Sequence, residues 1–145
     1  PNGTSGNERL QFKLNFIKNL IDLSHHLKLT GKKIIIGADM NIVRTEKDVY
    51  RPKRARRHSG FLPVETNLFN KLLTVGLEDS FRLFEQNPGY YTWWSFQDRQ
   101  RTKGHGWRFD YFLTDSSLTE KIEQSIILDD IFGSDHCPIL LELKV

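Results

Sequence analysis

The sequence predicts an α/β or α+β protein in which helices cover a mixed β-sheet. Two amphipathic helical patterns intermix with short runs rich in β-branched and aromatic residues, an order typical of layered folds. The chain of 145 residues contains no internal repeat and no low-complexity tract, and this length suits one domain. We therefore expect residues 1–145 to form a single domain.

The first helix is predicted from about Glu8 to Leu27, where apolar residues recur at the i, i+3, i+4 spacing of an amphipathic helix. A second helix begins at Pro63, because proline suits the first helical turn, and it ends at Gly76. Residues 42–60, between the two helices, are polar and irregular. A connection of that length is usually functional or mobile.

Strands are predicted where short runs are apolar, β-branched or aromatic. The all-isoleucine run Ile34–Ile36 indicates a strand that is buried on both faces. The other candidate strands are Tyr90–Phe96, Trp107–Leu113, Ser125–Leu128 and Ile139–Leu143.

The composition argues against a membrane-spanning protein and against a fold held by disulfide bonds. The hydrophobic content of 38% and the charged content of 27% are ordinary for a soluble globular protein. No apolar run approaches the roughly 18 residues that a membrane span needs. Cys137 is the only cysteine, so no intramolecular disulfide can form, and a reducing, intracellular setting is favoured.

Positive charge is concentrated in two segments, although the formal net charge is only +3. The first cluster contains Arg51, Lys53, Arg54, Arg56 and Arg57, and the second contains Arg99, Arg101, Lys103 and Arg108. Such clusters favour anionic partners. A solvated surface loop remains the alternative for the first cluster.

Polar side chains that could carry chemistry lie at the ends or edges of three predicted strands. Asp39 and Asn41 follow the isoleucine run, Asp110 lies in a later strand, and Asp135 with His136 precede the last strand. Loops at strand ends of a rigid sheet are where α/β proteins assemble polar sites. An Asp-x-Asn pair at strand spacing also points both side chains to the same side. The pattern therefore predicts that these groups converge.

Each of these motifs also has a purely structural interpretation. Asp39 and Asn41 could close a turn, since Asx residues do so readily. Asp110 lies where strands disfavour an acid, and it could form an ion pair with a nearby arginine. His136 could be a hydrogen-bonded core histidine. Taken one at a time, the residues leave these alternatives open.

A series of short motifs runs in order along the chain: PNG, GADMNIV, SGFLP, DSFR, YTWWSF, GWRFDYFL and GSDHCPI. Together they resemble the exodeoxyribonuclease III type of apurinic/apyrimidinic endonucleases, within the endonuclease/exonuclease/phosphatase superfamily. The match extends from the first residue to the last. It implies the C-terminal lobe of a four-layer αββα sandwich, with a mixed sheet and helices on one face.

The resemblance implies a metal-dependent phosphodiesterase that cleaves DNA on the 5′ side of abasic sites and removes nucleotides from 3′ ends. Mg²⁺ would be the cofactor, with Mn²⁺ as a substitute. Asp39 would orient or deprotonate the attacking water, Asn41 would help hold the scissile phosphate, and Asp110 would pair with the phosphate donor His136. The implied metal ligands are Asp135, Asp39 and Asn41.

The same resemblance implies contacts with DNA. The implied DNA-binding residues are Asn2, Trp93, Arg101, Lys103, Trp107 and Phe109. The three aromatic residues would line a small pocket for the flipped-out abasic sugar, although sheet core is the alternative for most aromatics of this region. Asn2 would contact a phosphate, and the two cations would lie beside the backbone, where they add salt-sensitive affinity.

The family also uses a metal-binding Glu, an Asn and a Tyr that would precede Pro1, and the only methionine is Met40. We therefore expect the chain to be the C-terminal half of the family domain. Its expected partners are double-stranded DNA with abasic sites or 3′ ends, and the missing lobe or a second chain, but no membrane. The expected location is the bacterial cytoplasm or the eukaryotic nucleus. A noncatalytic DNA-binding fragment and a phosphoesterase with a non-DNA substrate remain alternatives.

Overall fold

The computed structural model describes residues 9–144, without the side chain of Asp98. The helices are α1 (Leu10–Leu29), α2 (Pro52–Ala55), α3 (Pro63–Leu73) and α4 (Ser80–Phe84). The strands are β1 (Ile35–Asp39), β2 (Leu77–Asp79), β3 (Asp110–Asp115), β4 (Ile122–Ile127) and β5 (Ile139–Leu143). Among the described helices, none combines the length and apolar character that crossing a membrane requires.

The strands form two antiparallel sheets. One has the order β1-β3-β2, and the other consists of β4 and β5. The α/β class is confirmed, but the mixed sheet is wrong for the described residues, in which every named strand pair is antiparallel. Helix α3 does connect two strands that run in the same direction, β1 and β2. Strand β3 lies between them, however, so the parallel strands are not neighbours.

Helices α1 and α3 cover one face of the three-stranded sheet. Ile17 of α1, Phe69 and Leu72 of α3, and Tyr111 and Leu113 of β3 are buried together in the main core. The prediction of helices on one face is therefore confirmed.

The opposite face of the three-stranded sheet is partly exposed at β1, so the prediction that this strand is buried on both faces is wrong. The isoleucine run was expected to be buried on both faces, yet Ile35 is 45% exposed while Ile34 is buried. Because side chains alternate along a strand, Ile35 points away from the helices.

Both long helices are confirmed, with α1 displaced toward the C-terminus and α3 starting at Pro63 as predicted. The loop that follows β1 is more ordered than expected, since it contains α2 and a 3₁₀ turn at Glu46–Asp48. Strand β2 and helix α4 were missed, because three and five residues are too few to show a periodic pattern.

The aromatic segment Tyr90–Phe96 is not a strand in the structure, contrary to the sequence prediction. Trp93 instead forms isolated bridges with both Trp107 and His136. The segment divides its backbone hydrogen bonds between two neighbours: Trp93 donates to Trp107, and Trp94 donates to Asp135. It therefore joins the entry of β3 to the turn before β5. Strand β5 has the predicted bounds.

Candidate active site

Asp39 and Asp110 stand directly opposite each other where β1 ends and β3 begins. Residues in register on neighbouring antiparallel strands point to the same face, and like charges there repel. Each carboxylate has its own hydrogen-bond partners, which offset this cost. Asp39 is bound to Asn41, and Asp110 is bound to His136.

Asp39 and Asn41 form a closed turn. Oδ1 of Asp39 accepts from the backbone N–H of Asn41 at 2.9 Å, and Oδ2 accepts from its side-chain amide at 2.6 Å. Asn41 has a φ of 49°, in the left-handed region that asparagine tolerates better than most residues. The motif therefore does close a turn, and this turn holds the side chains of Asp39 and Asn41 at the edge of the sheet.

A buried ion pair fixes this turn from the core side. Nζ of Lys13 lies 2.6 Å from Oε1 of Glu65 and donates to the backbone carbonyl of Asn41 at 2.9 Å. Oε2 of Glu65 accepts from the backbone N–H groups of Gly60 and Leu62. The pair therefore ties α1 and α3 to the turn that carries Asn41.

Gly60 completes this arrangement because its left-handed backbone and close neighbours favour glycine. Its φ is 98°, and an added Cβ would lie 3.3 Å from the carbonyl of Asn41 and 3.2 Å from the ring of Phe109. Sequence analysis missed both members of the ion pair. The available signal was Lys13 itself, a cation on the buried face of α1 in line with Ile17 and Ile21.

Asp110 and His136 form a second couple. Nδ1 of His136 lies 2.8 Å from Oδ2 of Asp110, and both side chains are partly buried. Oγ1 of Thr92 accepts from the backbone N–H of Asp110 at 3.1 Å. Burial is the largest effect on the Asp110 carboxyl, and it raises the pKa, helped by the charge of Asp39 and opposed by hydrogen bonds with Thr92 and His136.

Asp135 is held by the aromatic segment that precedes β3. Its Oδ2 accepts from the indole Nε1 of Trp93 at 3.0 Å, and its backbone carbonyl accepts from the N–H of Trp94 at 2.9 Å. The backbone N–H of Cys137 donates to the carbonyl of Thr92 at 2.9 Å. These bonds dock Asp135 and His136 beside the start of β3.

The three aromatic residues predicted to contact DNA lie together. The ring centroid of Phe109 is 5.6 Å from that of Trp93 and 5.4 Å from that of Trp107. Phe109 is buried among Val43, Phe61 and their neighbours, and the two tryptophans pack against this cluster while remaining partly exposed. The tryptophans thus combine a core role with an accessible surface.

The predicted cations differ in their surroundings. Lys103 is exposed, whereas the guanidinium of Arg101 donates to the carbonyls of Asp129 and Ile131. Arg108, which the sequence placed in the same basic cluster, is buried and pairs with Asp48 and Asp79. Arg108 therefore contributes no cation to the surface. Asn2 lies outside the described residues.

The buried pairs of Arg108 belong to an ionic network that anchors the entry to β3. Nε of Arg108 lies 2.8 Å from Oδ1 of Asp48, and its Nη2 lies 2.5 Å from Oδ2 of Asp79. Arg82 makes a second ion pair with Asp48. The backbone N–H of Arg108 also donates to the carbonyl of Asp48. The network thereby fixes the residues immediately before Asp110.

The donors expected to hold a metal are of the right chemical type. Carboxylate and amide oxygens, as in Asp39, Asn41 and Asp135, suit a hard cation such as Mg²⁺. Within residues 9–144, however, no group of three or more His, Cys, Asp or Glu side chains is placed to hold a metal ion. The described chain therefore offers suitable ligands but not a complete set.

Comparison with known proteins identifies the family of the chain. The chain matches the Endonuclease/Exonuclease/phosphatase family over residues 3–136. The exodeoxyribonuclease of Bacillus subtilis is 38% identical to it across the whole chain, which corresponds to 58% of that protein. DNA repair nuclease APEX1 of Danio rerio is 36% identical across the whole chain, which corresponds to 47% of that protein.

A solved structure supports the same relationship. The AP endonuclease LMAP of Leishmania major superposes with a TM-score of 0.90 at 27% identity, over 98% of this chain and 47% of that one. The chain thus spans about half the length of the relatives that it matches. It belongs to the endonuclease/exonuclease/phosphatase family, and within that family it resembles the exodeoxyribonucleases and AP endonucleases.

Proposed function

We propose that this chain carries half of the catalytic centre of a DNA repair nuclease. The reaction is Mg²⁺-dependent hydrolysis of the phosphodiester bond 5′ to an abasic site, accompanied by 3′-to-5′ exonuclease activity. The observation that supports it most directly is the register pair Asp39 and Asp110, with Asn41 and His136 bound to these two acids at one sheet edge. The names of the relatives point to the same chemistry.

His136 is suited to stabilise the transition state. Hydrolysis of a phosphodiester builds negative charge on the phosphoryl oxygens, and fixed donors aimed at these oxygens lower the barrier. Because Nδ1 of His136 is bound to Asp110, Nε2 is the ring nitrogen through which it would donate to a nonbridging oxygen. The carboxylate of Asp110, 2.8 Å from Nδ1, fixes the orientation of the imidazole ring.

Asp39 would orient the attacking water and Asn41 would help hold the phosphate. Both oxygens of Asp39 already accept from Asn41. An ionised carboxylate has about four acceptor positions, so a water can still be bound. The closed turn keeps the two side chains at fixed positions relative to Asp110, which saves the entropy of ordering them during reaction.

Mg²⁺, when bound, would neutralise the charge that develops on the phosphate. Asp135, Asp39 and Asn41 are the ligands that this chain would contribute. The other ligands would come from the part of the family domain that the relatives have in addition to the matched half.

The DNA itself would be bound by aromatic and cationic residues. Trp93, Trp107 and Phe109 would form the wall of a pocket for the abasic sugar, because their rings lie together and Trp93 donates to Asp135. Lys103 is exposed and would lie near a backbone phosphate, as would Asn2.

A second candidate function is DNA binding without catalysis by the isolated chain. The observation that favours it is the incomplete metal-ligand set within residues 9–144. The two functions differ in whether this chain cleaves a duplex that it binds.

The experiment is cleavage of a duplex with a single abasic-site analogue, in Mg²⁺ and in EDTA. The proteins are the 145-residue chain, its His136→Ala variant and His25→Ala, an exposed histidine on α1 as control. Each is also tested when joined behind the N-terminal part of the Bacillus subtilis exodeoxyribonuclease. Cleavage that needs Mg²⁺ and His136 supports the proposed function. Cleavage that survives His136→Ala contradicts it. If the duplex is bound but not cleaved, both by the chain alone and by the joined protein, the noncatalytic candidate is favoured.

A further inference from the structure

We propose that Arg101 is a positioning residue that holds Asp135 and His136 in place, rather than a contact to the DNA backbone. This inference rests on the proposed function, because Asp135 and His136 matter only if this site acts on a phosphodiester. The family resemblance implied that Arg101 lies beside the DNA backbone. In the structure, its guanidinium instead donates to backbone carbonyls of this chain.

The guanidinium joins two loops. Its Nη2 donates to the carbonyl of Asp129 at 2.8 Å and to that of Ile131 at 2.6 Å. Its Nη1 lies 3.5 Å from the carbonyl of Ser134, at the limit of a hydrogen bond. These three carbonyls belong to the turn between β4 and β5, residues 128–138, which also contains Asp135 and His136. Arg101 thus links the loop before β3 to the first part of this turn and to the residue before Asp135.

Two aromatic rings hold the guanidinium from its sides. Its Cζ lies 4.5 Å from the ring centroid of Trp94 and 4.2 Å from that of Phe132. Trp94 is buried, while Phe132 is 74% exposed and covers the outer side. Stacking of this kind suits the flat guanidinium. The contact with Arg101 also accounts for the position of an exposed phenylalanine on the turn.

The turn needs such a tie because its own hydrogen bonds are few. The described backbone bonds within it run from Ile131 to Leu128 and from Leu128 to Pro138. Gly133 adds flexibility, with a φ of 124°. Ser134 adds side-chain bonds, but these reach only its neighbours Asp135 and His136. Without Arg101, Asp135 would keep its bonds to Trp93 and Trp94, whereas Asp129, Ile131 and Ser134 would lose their bonds to the loop before β3.

The position of the turn matters for the reaction because it carries both functional side chains, Asp135 and His136. Asp135 is bound by the Trp93 indole, and His136 by Asp110. A displacement of the turn would therefore change the hydrogen bond of Trp93 and the distance from His136 to the phosphate. Misplacement of about 1 Å can cost on the order of a hundredfold in rate.

Lysine cannot replace arginine in this position. A lysine ammonium is a compact, strongly hydrated charge, and it cannot stack between two rings while donating to separate carbonyls in one plane. A cation that only attracts phosphate, by contrast, is replaced by lysine with little loss. Arg101→Lys therefore separates the positioning role from the DNA contact.

The experiment measures kcat, KM and the salt dependence of KM on the abasic duplex. The protein is the form that cleaves this duplex, either the 145-residue chain or the chain joined behind the N-terminal part of the Bacillus subtilis exodeoxyribonuclease. The variants are Arg101→Lys, Arg101→Gln and Phe132→Ala. Lys103→Gln provides the comparison with an exposed cation of the same loop, and Lys71→Gln, exposed on α3, is the unaffected control. Circular dichroism checks that each variant is folded. The indole N–H resonance of Trp93, assigned with Trp93→Phe, reports on Asp135 independently of activity.

The positioning role predicts that both Arg101 variants lower kcat by about tenfold to a hundredfold. Their KM and its salt dependence stay near those of the parent, and the Trp93 resonance shifts or broadens. Phe132→Ala shows a smaller effect in the same direction. Lys103→Gln instead raises KM and weakens its salt dependence.

Three results would overturn the inference: wild-type kcat in Arg101→Lys, a rise in KM with a weaker salt dependence in Arg101→Gln, or an unchanged Trp93 resonance in both variants. Failure of the proposed function looks different, since cleavage would then not depend on His136. The Trp93 resonance tests the position of Asp135 even in that case.

Discussion

Asp39 and Asp110 face each other across β1 and β3, and neither acid is compensated by a cationic Lys or Arg in direct contact among the described residues. Asp39 is bound by an amide, and Asp110 by an imidazole that carries charge only when it is protonated. Two close acids with such weak compensation are unfavourable for stability, but they suit a site that attracts a cation.

Removing the charge of Asp110 while keeping its shape should abolish most of the activity. In Asp110→Asn, the side chain still reaches His136, but a neutral amide replaces the carboxylate that binds Nδ1. We expect the cleavage rate to fall by about a hundredfold, since His136 loses the partner that orients it and misplacement of a reacting group costs on that order. Single-turnover cleavage of the abasic duplex measures it, with the exposed Asp22→Asn on α1 as control. A fall of less than threefold would mean that Asp110 serves the fold only.

The buried pair Lys13 and Glu65 should behave as a coupled unit. Lys13→Met leaves Glu65 as a buried, unpaired charge, and we expect a loss of about 3–5 kcal/mol in the free energy of unfolding. The double variant Lys13→Met/Glu65→Gln removes both charges and keeps an acceptor for the N–H groups of Gly60 and Leu62. It should therefore recover part of the loss.

Urea unfolding of the two single variants and the double variant gives the coupling energy. Lys18→Met, exposed on the same helix, is the control. Strictly additive losses would contradict the coupling. Because Lys13 also donates to the carbonyl of Asn41, Lys13→Met should additionally slow cleavage.

The long helices and the last strand could be predicted because their patterns repeat over many residues. The convergence of Asp39 and Asp110 was also predictable in outline, since both lie at strand ends. Their cross-strand register was not, because it depends on β3 inserting between β1 and β2. The aromatic segment misled the prediction for a related reason. Its β propensity is satisfied by single bridges to Trp107 and His136, and propensity alone does not distinguish a bridge from a strand.

Asp48 makes stability depend on pH. Burial alone would raise the pKa of its carboxyl and is the largest effect, but the charges and hydrogen bonds of Arg108 and Arg82 outweigh it together, so the pKa is lowered. A carboxyl with a lowered pKa in the folded state stabilises the protein above its unfolded pKa of about 3.9. That contribution is lost as the pH falls through the lower, folded pKa.

The comparison of the parent with Asp48→Asn tests this dependence. At pH 7, the variant should be less stable by about 3–5 kcal/mol, since Arg108 and Arg82 lose a buried partner. The difference should remain constant down to about pH 5 and shrink at lower pH, because Asp48 of the parent becomes protonated first in the unfolded state and, at still lower pH, in the folded state. Urea unfolding between pH 7 and pH 3 measures it. A difference that stays constant to pH 3 would show that Asp48 contributes no charge to the network.

The last prediction concerns Mg²⁺ binding by this chain alone. Within residues 9–144, no three acidic, histidine or cysteine side chains are placed to hold a metal, although Asp135 offers one carboxylate. Mg²⁺ demands near-octahedral oxygen ligands and gives up its water reluctantly, so we expect a dissociation constant on the order of millimolar or weaker. Mg²⁺ titration followed by the Trp93 indole resonance measures it, because Trp93 donates to Asp135. Asp135→Asn should remove the response, and paramagnetic Mn²⁺ should broaden the signals of Asp39 and Asn41 along with those of Asp135. Micromolar binding that survives Asp135→Asn would locate the metal elsewhere in the chain, and Asp135 would then have only the structural partner that it shows here.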